Sequence, residues 1–265
     1  MKPQDYSDSH DKMQLFKSRY GIMPACDVKD IGELKRIVEE TSDIEGVVGY
    51  KVGAILALKY GLPHICETIT SYTDLPIIYD HQKLGSDIPE ICGGDILAVC
   101  KEAGISSVII FPEAGPEALK AAVVGVGTEK LKEKVKGCFK FGLTPIVGGE
   151  MTHSKYLRSE GGYIADDAPK RMYMDATKLG VEHFVIPGTK IEKMMEYCTL
   201  LEQELKEPNF LFPGIGKEHQ GGDIVAAFET VKHFPSYAIV GRAIYAAKDI
   251  KEATKRLCEV TQSFL

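Results

Sequence analysis

The chain has 265 residues, 44% hydrophobic and 26% charged with no Trp, a make-up that supports a sizeable core and excludes extended disorder beyond the first residues. Lys and Arg number 32 against 38 Asp and Glu, giving a formal charge of -6, and the scattered basic residues exclude general nucleic-acid binding. An anionic substrate is not excluded, because one Arg and a ring of backbone N–H groups suffice to hold a phosphate. The seven cysteines are odd in number and never form C-x-x-C, so neither a disulfide framework nor a zinc site is expected, and the site is read as metal-free. The opening MKPQDYSDSHDKMQLFKSRYG is polar, and no stretch approaches the ~20 apolar residues of a bilayer span. A reducing cytoplasm with no membrane association is the expected setting.

Residues 1–20 read as a polar extension and residues 21–265 as one domain. GIMPACDV is an apolar run ending at Asp27, and IGELKRIVEE follows with Ile31, Leu34, Ile37 and Val38 at helical spacing. The alternation continues through GVVGYKVG and AILALKYG, LPIIYD and PEICGGDILAVCKEAG, then SSVIIF and a helical reading of PEALKAAVVGVG with TEKLKEKVKG. The second half supplies LTPIVGG, EHFVIPG, NFLFPG and SYAIVG, each followed by an amphipathic segment. Eight strand–helix units predict an α/β fold closed as a single (β/α)8 TIM barrel. The alternative is an open doubly wound sheet, but that fold normally places G-x-G-x-x-G after its first strand, where this chain reads CDVKDIG.

In such a barrel the strand C-termini carry the chemistry. Asp27, Lys51, Asp80, Glu150, Thr152, Thr189 and Gly241 fall at or just after predicted strand ends. Singly each has a structural reading: Asp27 as a helix cap, Lys51 as a snorkelling side chain, Asp80 with Lys83 as a surface pair. Together Lys51, Asp80, Lys83 and Asp87 place two cations and two anions at one mouth, a balance under which partly buried charges are tolerable. Further on, FPGIG, QGGD and IVGRAIY put glycines after the seventh and eighth strands, where barrels bind phosphate through backbone N–H groups. Arg242 supplies a fork-shaped countercharge. The bland alternative is that Gly214, Gly216, Gly221, Gly222 and Gly241 turn tight corners.

From about Pro24 to Ala246 the chain resembles the orotidine monophosphate decarboxylase superfamily. That family carries a strand-one Asp, a strand-two Lys, Asp-x-Lys-x-x-Asp after strand three, a Glu-Met-Ser-His type loop, Pro-Gly-x-Gly with Gln-Gly-Gly, and a Gly-Arg phosphate site. The matching residues here are Asp27, Lys51 in YKVG, Asp80 to Asp87, EMTH at Glu150 to His153, Pro213 to Gly222, and GRAIY from Gly241. The resemblance implies that Asp27 and Lys51 hold ribose hydroxyls, Thr152 reads the pyrimidine edge, and Gln220 bridges base and phosphate. Pro213, Gly221 and Gly222 would form the phosphate loop, with Gly241 and Arg242 gripping the phosphate. Lys83 would be the proton donor beside C6, Asp80 would flank the departing carboxylate, and Asp87 would be shared across a homodimer interface. The implied reaction takes the nucleotide OMP to UMP and CO₂ without a cofactor.

The chain departs from the family in places. Asp80, His81, Gln82 and Lys83 hold one residue more than Asp-x-Lys, so an extended strand would send Asp80 and Lys83 to opposite faces unless His81 and Gln82 bulge. A second extra residue precedes Asp87, where Gly85 is placed to absorb it. Lys217, Glu218 and His219 lengthen the Gln-Gly-Gly loop, Thr152 replaces the usual Ser, and Ile91 stands where a partner-subunit hydroxyl is usual. Two alternatives follow: a Mg²⁺-dependent sugar-phosphate decarboxylase or aldolase acting on 3-keto-gulonate 6-phosphate or hexulose 6-phosphate, and a catalytically silent nucleotide-binding relative.

Overall fold

The computed structural model describes residues 14–80, 84–127, 135–216 and 222–265. Eight parallel strands close into a barrel: β1 (Tyr20–Cys26), β2 (Tyr50–Gly53), β3 (Ile77–Asp80), β4 (Ser107–Ile110), β7 (Thr144–Gly148), β8 (His183–Val185), β9 (Asn209–Pro213) and β10 (Ser236–Val240). The strands lie in chain order around the ring, and β1 pairs with β10 from Tyr20↔Ser236 to Pro24↔Val240 to close it. The predicted TIM barrel is therefore the observed fold.

Alternating side chains sort into two layers, as a period of two requires. Met23, Val48, Ile78, Ile109, Ile146, Val185, Leu211 and Ile239 fill the interior. Their neighbours, among them Ile22, Val52, Ile77, Val108, Val147 and Phe184, pack outward beneath the helices. Helix α1 (Ile31–Thr41) shows how the outer ring forms: the Asp30 carboxylate accepts from the Glu33 N–H at 3.0 Å, and Leu34, Ile37 and Val38 face inward. Asp223 and Asp249 cap α10 (Ile224–Val231) and α12 (Ile250–Gln262) in the same way. All seven cysteines are buried and unpaired. Among the described residues no helix is long and apolar enough to cross a membrane.

Three local features differ from the sequence reading. AILALKYG continues past Gly61 (φ +76°) into a second helix, so the connection is α2 (Ala54–Tyr60) followed by α3 (Leu62–Thr70). PEICGGDILAVCKEAG splits at Gly94 (φ -117°, ψ -109°) into α4 (Pro89–Gly93) and α5 (Asp95–Glu102), and a Cβ on Gly93 would stand 2.3 Å from the Ala121 carbonyl oxygen. Helix α6 (Pro116–Val123) ends early, and β5 (Gly125–Val126) pairs antiparallel with β6 (Val135–Lys136) where a continuing helix is expected. At the barrel base Phe16 from the lead-in packs on Tyr237, with ring centroids 4.1 Å apart. It belongs to the interior cluster, so the barrel takes in residues ahead of the expected boundary at residue 20.

Candidate active site

Lys51 lies between the outward-facing Tyr50 and Val52 and so points into the barrel mouth. Asp27 and Asp80 each follow an interior residue, Ala25 and Ile78, by two positions, which aims them at the same mouth. Strand register completes the placement, with Ala25 opposite Lys51 and Gly53 opposite Asp80. The Lys51 ammonium donates to Asp27 Oδ1 and Oδ2 at 3.0 and 3.1 Å and to Asp80 Oδ2 at 2.9 Å. Gly53 leaves room for this bridge, since a Cβ there would stand 2.8 Å from Asp27 Oδ1.

Burial disfavours the Lys51 charge, but Asp80 and then Asp27 outweigh it through charge and hydrogen bonding and hold the ammonium above the ordinary lysine range. Two carboxylates and one ammonium leave this group one negative charge in excess. Asp80 Oδ1 is also buried without a hydrogen-bond partner among the described residues. A buried carboxylate oxygen left unpaired is costly, so this end of the site calls for a further donor.

The rest of the β3 motif is placed unevenly. His81, Gln82 and the expected proton donor Lys83 lie outside the described residues. Gly85 takes φ +95° and Ala114 donates its N–H to the Gly85 carbonyl at 3.0 Å, tying this loop to the end of β4. Asp87 is exposed and its carboxylate accepts from the Ile88 N–H at 2.7 Å. It is not joined to the Asp27–Lys51–Asp80 group of its own chain.

Thr152, two residues beyond Glu150, has its carbonyl held by the Thr189 hydroxyl at 3.2 Å. Pro213 ends β9, and its carbonyl accepts from Gly188 N–H at 3.1 Å. The loop beyond returns on itself: Gly222 N–H donates to Gly214 at 3.2 Å and Gly216 N–H to Gly222 at 3.0 Å. Gln220 and Gly221 lie outside the described residues. Gly216 brings this loop against α11 (Arg242–Tyr245), where a Cβ on Gly216 would meet Ala243 at 3.3 Å. Gly241 and Arg242 follow β10, and because β10 pairs with β1 they stand beside the strand that carries Asp27. Burial raises the Tyr245 hydroxyl pKa, Asp27 adds to the rise, and Arg242 and Lys51 oppose it. Asp27, Lys51 and Asp80 thus stand on one rim with Gly241 and Arg242.

A second charged group flanks Thr152. Glu150 has a fully buried carboxylate (0% exposed) that meets the Lys190 ammonium at 2.7 Å and accepts from the Tyr197 hydroxyl. Lys190 also donates to Glu160 at 2.7 Å. Sequence reasoning gives Glu150 and Thr189 strand-end positions without a role and passes over Lys190 and Tyr197. The available signal is Lys190 immediately after Thr189 at the mouth of β8.

Comparison with known proteins places this geometry among relatives. The family model described as the orotidine 5'-phosphate decarboxylase/HUMPS family matches residues 21–257. An orotidine 5'-phosphate decarboxylase of Pyrococcus abyssi is 30% identical over 238 residues, covering 89% of this chain and 96% of the relative. One from Methanocaldococcus jannaschii is 29% identical over 239 residues, covering 90% and 97%. The solved structure of the Methanocaldococcus jannaschii orotidine 5'-monophosphate decarboxylase complexed with the inhibitor BMP superposes with a TM-score of 0.69 at 26% identity, covering 91% of this chain and 98% of that one.

Proposed function

From the premise that the chain belongs to the orotidine 5'-phosphate decarboxylase/HUMPS family, we propose that it decarboxylates orotidine 5'-monophosphate to UMP and CO₂. The observation that carries this reading is the Lys51 bridge between Asp27 and Asp80, with the buried Asp80 Oδ1 left without a donor among the described residues. Loss of CO₂ from C6 leaves a carbanion that the pyrimidine ring delocalises poorly, so the reaction depends on charge placed before the bond breaks. Lys83, three residues beyond Asp80, supplies the missing donor in this reading: its ammonium stabilises the developing charge and then protonates C6. Asp80 disfavours the substrate carboxylate beside it, while Lys51 and Asp27 hold the ribose hydroxyls.

Thr152 reads the pyrimidine edge and Gln220 bridges base and phosphate. Pro213, Gly221, Gly222, Gly241 and Arg242 form the phosphate grip, whose binding energy closes the loops over the base. The chain acts as a homodimer in which Asp87 completes the partner's site. Supporting this, Asp87 is exposed, and the large apolar residues Ile55, Leu58 and Ile91, on the helices after β2 and β3, and Ile88, at the start of α4, are exposed as well.

The test follows the ultraviolet change as purified protein is mixed with orotidine 5'-monophosphate, with and without EDTA. Turnover indifferent to EDTA is expected. No turnover removes the proposal, and activity on a sugar phosphate that EDTA abolishes replaces it with the sugar-phosphate reading.

A further inference from the structure

We propose that Glu150 and Lys190 form a positioning pair that sets the loop carrying Thr152 and thereby gives the site its preference for a base-bearing ligand; this rests on the reading of Thr152 as the group that meets the pyrimidine edge. A carboxylate with no solvent exposure is tolerated only when its charge and lone pairs are met. Glu150 is met twice, by Lys190 at 2.7 Å and by the Tyr197 hydroxyl. The cation does not stop there. Lys190 reaches Glu160 at 2.7 Å, and Glu160 in turn accepts from the Tyr156 and Leu157 N–H groups at 3.1 and 3.4 Å.

One ammonium therefore ties both ends of the segment 150–160, and Thr152 lies within it. Thr189, the residue before Lys190, adds a third tie through its hydroxyl to the Thr152 carbonyl. Gly214 (φ +93°) packs on the same corner, where a Cβ would stand 2.7 Å from the Thr189 methyl and 3.2 Å from the Thr152 methyl. With the backbone carbonyl and methyl of Thr152 so engaged, its hydroxyl makes no hydrogen bond among the described residues. It is left for a ligand.

Binding of UMP and of ribose 5-phosphate, measured by titration calorimetry, separates positioning from simple stabilisation, since only UMP has a base. The wild-type chain binds UMP more tightly than ribose 5-phosphate. Lys190→Met weakens UMP on the order of tenfold, as one misplaced base contact should, and leaves ribose 5-phosphate unchanged; Lys190→Arg restores UMP binding. Should Lys190→Met fail to fold, Glu160→Gln cuts the more exposed arm and lowers UMP affinity a few-fold, about what a weakened ion pair gives, again sparing ribose 5-phosphate. If wild type discriminates and both variants discriminate equally well, the positioning role is wrong while the decarboxylase reading stands. If wild type binds the two ligands alike, the base-edge reading of Thr152 falls and the pair's role falls with it.

Discussion

Lys51 is held by two carboxylates of unequal exposure, 45% for Asp27 and 14% for Asp80, and the buried partner decides what its loss would do. Lys51→Met strands Asp80 against an apolar side chain; with Asp27 partly solvated, the expected loss is about 2 kcal/mol, below the full value for a buried pair. Because the folded-state pKa of Lys51 is raised, its stabilising contribution is complete below the unfolded lysine pKa of about 10.4 and fades as pH rises through the folded value. Urea unfolding from pH 7 to 11 measures this. The gap between wild type and variant should be constant at first and shrink at the alkaline end; a gap that widens there, or none at any pH, contradicts the account. Lys51 was legible in sequence because its neighbours alternate with it. Lys190 was not, since Glu150 and Glu160 lie 40 and 30 residues away in the chain, and no local pattern links them.

At the scale of elements, strand ends were readable and connections less so. A period of two and short apolar runs identify the barrel strands whatever surrounds them. The β5–β6 pairing escaped because PEALKAAVVGVG with TEKLKEKVKG reads as helical, whereas the close approach of Gly137 to Gly125 and Val123 pairs Gly125–Val126 with Val135–Lys136; residues 128–134 of that stretch lie outside the described residues. The β3–α4 connection carries the proposed division of labour between subunits, with Lys83 serving its own site and Asp87 the partner's. Lys83→Ala should abolish turnover while keeping UMP affinity, and Asp87→Ala should be inactive too. Mixed in equal amounts and allowed to exchange, the two variants should regain about a quarter of wild-type activity, because half the dimers are mixed and each holds one intact site. Failure of the exchanged mixture to regain any activity would place Asp87 within its own subunit's site or outside catalysis.

Across the whole molecule, His183 at the base of the barrel is expected to contribute to acid sensitivity. His183 opens β8 two residues before the interior Val185, and its ring lies 6.2 Å from Phe16. Burial lowers its pKa from the usual 6.5 to about 4, so the folded chain resists a proton that the unfolded chain accepts. Stability from neutral His183 is present above about 6.5 and is lost as pH falls toward about 4. The loss amounts to at most about 3 kcal/mol. Melting temperatures across that window should fall in wild type and stay flatter in His183→Leu, and equal slopes in the two proteins would show that the acid sensitivity arises elsewhere.

Closure of β10 on β1 also imposes an order in time. A growing chain emerges N-terminus first, so Asp27, Lys51 and Asp80 are exposed early, while Gly241 and Arg242 arrive only with the final strand. Without β10, β1 and β9 would lack the strand that joins them, and the charged trio would lack the rim that Gly241 and Arg242 supply. Gly241 and Arg242, two of the residues proposed to grip the phosphate, thus follow the strand that seals the ring, so a chain cut short before β10 would lose the closure of the barrel and these two contacts together.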